Sequence, residues 1–280
     1  MLTQVAPKAS QQDEPSAREI AALRDVYLAF VDAQRRSAKL ALEGISLSFK
    51  EGEFCSIVGP SGCGKSTILN LIAGLTKPTE GSVISNGKPV TGINTEVGYV
   101  TQDDNLLPWR TLQSNVEIAL ELRGVAKEER ARRSRELIDR VGLNGFENHY
   151  PAQLSGGMRK RGSIIRTLIY DANLILMDEP FGPLDAQTRL VLQNDLVKLW
   201  ERTRSTVVFV THDLVEAIAL SDRIIVMTAT PGRIKKIYDI DIPRPRDVFH
   251  IHEAPGFSRI FDALWSDIRE EIKASTQRDP

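Results

Sequence analysis

Residues 59–67 have the types and spacing needed to bind the phosphate chain of a nucleotide. They fit the pattern G-x-x-x-x-G-K-[ST], and we name them the phosphate loop. Glycines permit a tight turn whose N–H groups point at one pair of phosphates, and a following helix adds the positive end of its dipole. We expect Lys65 to reach the β- and γ-phosphates of ATP and Ser66 to hold Mg²⁺. The predicted nucleotide-binding residues are Gly59, Pro60, Ser61, Gly62, Cys63, Gly64, Lys65, Ser66 and Thr67.

Two carboxylates follow another apolar run and would complete a hydrolytic site. Residues 174–177 are apolar, and Asp178 and Glu179 come directly after them. Side chains in this position lie at the carboxyl edge of a buried strand, where open α/β sheets bind ligands. We expect Asp178 to support Mg²⁺ through its water shell and Glu179 to orient and deprotonate the attacking water. Taken alone, the pair also fits an ordinary polar strand end.

A second predicted anion site lies at Ser155, Gly156 and Gly157. These residues follow Leu154 and precede a run with helical apolar periodicity, which places them at a helix N-terminus. The chain already has a complete phosphate loop about ninety residues earlier. The second site therefore suggests a phosphate of a different nucleotide.

The elements that must position these residues are those of an α/β protein. Short apolar runs before the phosphate loop, before Asp178 and at 206–211 predict strands of one buried sheet. The turn Asn86-Gly87 predicts a hairpin, and residues 103–165 are mainly helical and interrupt the core. An apolar stripe from Phe257 to Ile272 predicts a C-terminal helix, which packs on its own domain or binds a partner.

The motifs in this order resemble those of the ABC-type ATPases over about residues 23–246. The resemblance implies a P-loop NTPase core of the ABC type with an antiparallel β subdomain and an inserted α-helical subdomain. We predict a flexible tail at 1–20, an ATPase domain at 21–246 with its helical subdomain at about 103–165, and a helical extension at 247–280.

The same resemblance assigns roles to single residues. It implies Gln102 near Mg²⁺ and the attacking water, His212 in contact with the γ-phosphate, and Asp185 in the D-loop beside the nucleotide. It implies an aromatic side chain stacked on adenine at the end of the first strand. Phe30 is the candidate there, Tyr27 is a weaker choice, and an ordinary core Phe30 is the alternative.

The family resemblance also implies partners. Each ATP would lie between the phosphate loop of one chain and Ser155, Gly156 and Gly157 of a second copy, in a closed twofold dimer. Residues 102–111 and 178–182 look like those of nitrate, sulfonate and taurine importer ATPases. That resemblance implies separate transmembrane permease subunits, indirectly a solute-binding protein, and a peripheral position on the cytoplasmic face of the membrane.

Alternatives to an importer motor are an exporter motor and a soluble ABC ATPase acting on nucleic acid or ribosomes. The solute is open among sulfonates, taurine, nitrate, bicarbonate and thiamine-precursor pyrimidines. Three residues depart from the family pattern: Lys160 where Gln is usual, Gly162 where Val or Leu is usual, and Pro183 where Ala is usual. Trp109, beside Pro108, is predicted to dock the permease, with burial in the helical subdomain as the alternative.

Composition agrees with these predictions. The 280 residues are 41% apolar and carry a net charge of −1, so no basic field suggests a nucleic-acid partner. No run of about twenty apolar residues predicts a membrane span. The two cysteines, Cys55 and Cys63, lack the spacing of a metal site or a disulfide framework. Cys63, beside a helix N-terminus, is predicted to react with alkylating reagents.

Overall fold

The computed structural model describes residues 18–32, 37–182 and 184–276, which form two β-sheets, seven α-helices and two short 3₁₀ helices. Most of the predicted tail at 1–20, the connection at 33–36 and Pro183 lie outside the described residues. Among the residues that are described, no helix combines the length and apolar composition needed to cross a bilayer.

An antiparallel sheet covers one side of the molecule. Its strands are β1 (Glu19–Asp32), β2 (Ser37–Lys50), β4 (Glu80–Ser85) and β5 (Lys88–Pro89), in the order β2-β1-β4-β5. The hairpin from β4 to β5 turns at Asn86 and Gly87, whose φ angles are 49° and 73°. Positive φ at both positions defines the tight turn that the Asn-Gly pair predicts.

A six-stranded sheet forms the centre of the molecule, in the order β10-β9-β3-β8-β7-β6. All neighbours are parallel except β10, which runs antiparallel to β9. The strands are β3 (Phe54–Val58), β6 (Val97–Val100), β7 (Leu174–Asp178), β8 (Thr206–Val210), β9 (Arg223–Met227) and β10 (Ile234–Asp239). Because the central strands are parallel, the polar residues that follow β3, β7 and β8 emerge at one edge.

Both faces of this sheet are buried, which explains why its strands are continuous apolar runs. On one face, Cys55 and Ile57 pack with α1 (Lys65–Ile72) and the antiparallel sheet. On the other, Phe54 and Val58 pack with α5 (Ala186–Thr203), α6 (Leu214–Leu220) and α7 (Phe257–Thr276). The alternation of side chains along β3 thus divides the core into two layers.

The remaining helices lie between β6 and β7 in the chain and have a hydrophobic cluster of their own. They are α2 (Leu112–Leu122), α3 (Lys127–Arg140) and α4 (Gly156–Leu168). Gly162 of α4 faces α2 so closely that an added Cβ would lie 2.7 Å from Leu112 Cδ1. This contact gives a physical reason for glycine at that position.

Helix α7 packs on the core of its own chain. Leu264 is fully buried, and Phe257, Ile260 and Ile268 join the same cluster. Glu271, near its C-terminal end, accepts a hydrogen bond from the Ala229 amide at 3.0 Å. The apolar stripe therefore serves internal packing, the first of the two alternatives.

Candidate active site

The phosphate loop borders a cavity of about 380 Å³. The loop connects the carboxyl end of β3 to the first turn of α1, so its backbone turns at the carboxyl edge of the sheet. The lining residues are Phe30, Lys39, Ala41, Ser61, Gly62, Gly64, Lys65, Ser66, Thr67, Glu179 and Thr230. The arrangement combines backbone N–H groups, a lysine and a helix N-terminus, all of which favour an anionic ligand.

The glycines of the loop are required by its backbone and by its close packing. Gly64 caps α1 with a φ of 98°, and a Cβ there would lie 2.5 Å from a terminal methyl of Leu42. The Lys65 ammonium donates to the carbonyls of Gly59 and Pro60, each at 3.0 Å. These two bonds use two of its three N–H groups and hold its charge inside the turn.

Ser66 and Asp178, two of the residues predicted to support Mg²⁺, lie beside each other. The Ser66 hydroxyl donates to Asp178 Oδ1 at 2.9 Å, and thus joins α1 to the end of β7. Burial raises the pKa of Asp178, while the Ser66 hydrogen bond and the charges of Lys65 and Lys160 lower it. A hydroxyl and a carboxylate beside a phosphate-binding loop fit Mg²⁺, which takes few protein oxygens and completes its shell with phosphates and water.

Glu179 and His212 form a second pair at this edge. Glu179 Oε2 lies 3.1 Å from His212 Nδ1, and because a carboxylate only accepts, Nδ1 carries the hydrogen in this contact. Glu179 has a φ of 42°, in the left-handed region that residues other than glycine rarely occupy. Its backbone N–H donates to the Val210 carbonyl at 2.9 Å, which keeps it in line with β8.

Phe30 lies at the rim of the cavity and is 53% exposed. The alternative of an ordinary core phenylalanine is therefore wrong. Tyr27 does not line the cavity, and its hydroxyl faces the backbone at Gly44 instead. Among the residues that line the cavity, Phe30 is the aromatic side chain that could stack on the adenine.

The other predicted site residues do not line this cavity. Ser155 caps α4 and accepts a hydrogen bond from the Met158 amide at 3.3 Å; Gly156 follows it, and both are exposed. Asp185 caps α5 and accepts from the Thr188 amide at 3.0 Å. Backbone hydrogen bonding, led by Thr188, lowers the pKa of Asp185. These groups lie at exposed helix N-termini outside the cavity, so their contact with nucleotide stays a prediction.

Gln102 lies two residues after the end of β6 and is exposed. Its backbone carbonyl accepts a hydrogen bond from the Lys160 ammonium at 2.8 Å. Its side chain does not line the cavity, so its predicted place near Mg²⁺ stays a prediction.

The segment from Thr228 to Gly232, after β9, was not found from the sequence. The Thr230 hydroxyl donates to the Gly62 carbonyl at 3.0 Å and lines the cavity. A Cβ on Gly232 would lie 2.0 Å from the Cys63 carbonyl oxygen. The Pro231-Gly232 pair directly beyond a strand was the available signal, since it places a turn at the carboxyl edge.

The expected reactivity of Cys63 is wrong. Its side chain is fully buried behind the loop, and burial raises the pKa of the thiol. A thiol that is both inaccessible and protonated reacts poorly with alkylating reagents.

Comparison with known proteins agrees with this geometry. The sequence pattern of the ABC transporter family matches residues 42–182. An uncharacterized ABC transporter ATP-binding protein of Methanocaldococcus jannaschii is 50% identical over 233 residues, which are 83% of this chain and 87% of that protein. The aliphatic sulfonates import ATP-binding protein SsuB of Bacillus cereus is 42% identical over 78% of this chain and 85% of its own.

Two further similarities concern transport and assembly. The bicarbonate transport ATP-binding protein CmpC of Synechococcus elongatus is 49% identical over 78% of this chain, which spans 33% of that protein. A solved ATP-binding cassette, in a dimeric post-hydrolysis state bound to ADP and Pi, is 36% identical with a TM-score of 0.71. That likeness covers 79% of this chain and 99% of the cassette.

Proposed function

The chain belongs to the ABC transporter family, as an ATP-hydrolysing subunit, and we propose that it powers an importer of a small anion or sulfonate-like solute. The observation that carries the hydrolytic part is the convergence of the phosphate loop, the Ser66–Asp178 pair and the Glu179–His212 pair at one sheet edge. The importer relatives named above support the direction of transport and the class of solute.

In the proposed reaction, the γ-phosphate of ATP lies at the N-terminus of α1 beside Lys65. Glu179 accepts a proton from a water molecule as that water attacks the γ-phosphorus, and the bond to the bridging oxygen of ADP breaks. His212 holds the Glu179 carboxylate through its Nδ1–H group, and a contact of the same imidazole with the γ-phosphate requires a hydrogen on Nε2 as well. Ser66, with Asp178 behind it, would hold Mg²⁺, which would supply positive charge to the phosphate oxygens when bound.

We propose that each ATP-binding site is completed by a second copy of the chain, in a dimer like that of the solved cassette. The outward-facing helix N-terminus at Ser155 and the exposed Gly156 support this arrangement. Asp185, exposed at the start of α5, belongs to the same surface in the proposal. The composite site would join the two copies while ATP is bound and release them after hydrolysis.

The proposed docking surface for the permease is the turn that carries Trp109. Trp109 is 71% exposed, so the alternative of a core role is wrong. The fully buried Asn115 holds this turn: its side chain donates to the carbonyls of Leu107, Arg110 and Thr111. An ordered turn that presents an exposed tryptophan has the properties of an interface anchor.

Trp109→Ala and Trp265→Ala test this function together. Trp265 is the matched control because it is also exposed, at 47%, but lies on α7. Each variant would be co-expressed with its permease and solute-binding protein, and ATPase activity, co-purification and uptake in proteoliposomes would be measured. We expect Trp109→Ala alone to keep soluble ATPase activity and lose assembly and uptake.

Normal assembly and uptake by Trp109→Ala would contradict the docking surface. Stable association of the wild-type chain with nucleic acid or ribosomes, in place of a permease, would contradict the transport function. Uptake of sulfonate, nitrate, bicarbonate, taurine and a pyrimidine, each supplied separately, would identify the solute.

A further inference from the structure

Helix α4 contacts the segment that follows β6 through three basic side chains, of which Lys160 is buried. Lys160 lies on α4, five residues after Ser155, and is 2% exposed. Its ammonium donates to the Thr101 carbonyl at 2.7 Å and to the Gln102 carbonyl at 2.8 Å. Both bonds are short and charge-assisted, the stronger class of hydrogen bond.

The two carbonyls need such a donor. Strand β6 is the edge of its sheet, and Thr101 and Gln102 lie just beyond its last residue. Backbone oxygens that leave the ladder in a partly buried place must be satisfied by other groups. Lys160 supplies both bonds from a different element of the chain.

The rest of the segment is held by the same helix. Arg166 donates to the Asn105 carbonyl at 2.6 Å, and Arg159 donates to Asp104 Oδ2 at 2.9 Å. Lys160 differs from these neighbours because it reaches the backbone of Gln102, the predicted site residue of this segment.

We propose that Lys160 is a positioning residue that fixes the backbone of Gln102 to the helix beginning at Ser155, so that both groups move as one body. The inference rests on the proposed role of Gln102 in hydrolysis. Its consequence is that when Ser155 moves on contact with the partner's nucleotide, the backbone of Gln102 moves with it.

A double-mutant cycle between Lys160→Met and Gln102→Ala tests the inference. Methionine preserves the length of the side chain but removes all donors. We expect Lys160→Met to lower kcat at least tenfold with KM for ATP changed less than twofold. In the Gln102→Ala background, the same substitution should lower kcat less than twofold further, because the group it positions is gone.

Lys160→Gln is the second variant, since its amide keeps two N–H donors on a shorter side chain. We expect an intermediate kcat, and this variant carries the cycle if Lys160→Met does not fold. Hydrogen exchange of the amides at 103–106 should be faster in both variants. Arg161→Met is the matched control: it also removes a bond from α4 to a backbone carbonyl, that of Val141, which lies outside the Gln102 segment.

Each outcome decides the proposal. Losses that multiply across the cycle, or an unchanged kcat in Lys160→Met, would overturn the positioning role alone. An unchanged kcat in Gln102→Ala would overturn the assignment of Gln102 and this inference with it. A loss in Arg161→Met equal to that in Lys160→Met would indicate general weakening of the helical subdomain and would also overturn the proposal.

Discussion

Glu179 combines an unusual backbone conformation with a position in the lining of the proposed ATP cavity. Its positive φ turns the chain sharply after β7, so Asp178 and Glu179 serve different partners although they are adjacent. Asp178 accepts from Ser66, whereas Glu179 faces His212. The turn thereby separates the carboxylate that we propose supports Mg²⁺ from the one that we propose accepts a proton.

Glu179→Gln should lower ATP turnover by about 10²- to 10⁴-fold, because an amide cannot accept the proton of the attacking water. Glutamine retains an oxygen for the His212 contact, so ATP affinity should change less than threefold. Steady-state hydrolysis and equilibrium binding of ATP would be measured, with the exposed Glu128→Gln on α3 as the control. Turnover near the wild-type rate would remove Glu179 from the mechanism.

Glu216 is a buried carboxyl group that binds Thr211, the residue directly before His212. It is 5% exposed and accepts hydrogen bonds from Thr211 and Gln193, the latter at 2.7 Å. The pKa of Glu216 is raised from 4.5 to about 7, chiefly by burial and in smaller part by Asp213, although these hydrogen bonds and Arg189 act to lower it. The protonated form is thus favoured by folding.

This shift predicts that stability falls as pH rises. Since the folded pKa of Glu216 exceeds its unfolded value, its contribution is fully present below pH 4.5 and lost as pH rises through about 7. Relative to Glu216→Gln, the wild-type free energy of unfolding should fall by about 2–3 kcal/mol between pH 5 and 8. Urea unfolding at several pH values measures this difference, and a pH-independent difference would contradict the prediction.

At the level of elements, the segment 228–232 supports the phosphate loop from behind. Gly232 packs against the Cys63 carbonyl, and Thr230 binds the Gly62 carbonyl. Glu271 of α7 in turn holds the Ala229 amide. A C-terminal helix is thereby connected to the nucleotide site through one short loop.

Gly232→Ala should disturb that support. Its Cβ would meet a backbone oxygen at 2.0 Å, and a backbone atom cannot rotate away as a side chain can. We expect a loss of about 1–3 kcal/mol in the free energy of unfolding and at least tenfold weaker ATP binding. Gly92→Ala is the control, because its Cβ would meet nothing within 4 Å. Equal behaviour of the two variants would contradict the supporting role.

The sequence predicted the elements better than the contacts between them. Strand β7 and the hairpin at Asn86 follow from local apolar runs and turn chemistry, which a short window contains. The support from Thr230 depends on residues 168 positions away in the chain and carries no local pattern. The burial of Cys63 likewise arises from packing behind the loop, which the motif alone does not reveal.

At the level of the whole molecule, the predicted site residues divide into two surfaces. Phe30, Lys65 and Glu179 share one cavity, whereas Ser155 and Asp185 face outward at other helix N-termini. The motif order and family resemblance predicted both groups, but a single chain does not bring them together. Assembly is the step that the sequence implies and that requires a direct test.

Mixing two inactive variants should restore activity. Ser155→Arg blocks the outward anion site with a bulky cation, and Lys65→Ala removes the phosphate-loop lysine. Each protein alone should hydrolyse ATP at less than a hundredth of the wild-type rate, while a mixed dimer contains one intact composite site. Recovered hydrolysis on mixing is the expected result, and an inactive mixture that still forms mixed dimers would contradict it.

The dependence of ATPase activity on protein concentration tests the shared site most directly. Turnover per chain would be measured over a range of concentrations in which sedimentation records the change from monomer to ATP-bound dimer. The composite site predicts that turnover per chain rises with concentration and levels off when dimers predominate. Constant turnover per chain at concentrations where only monomers sediment would contradict it.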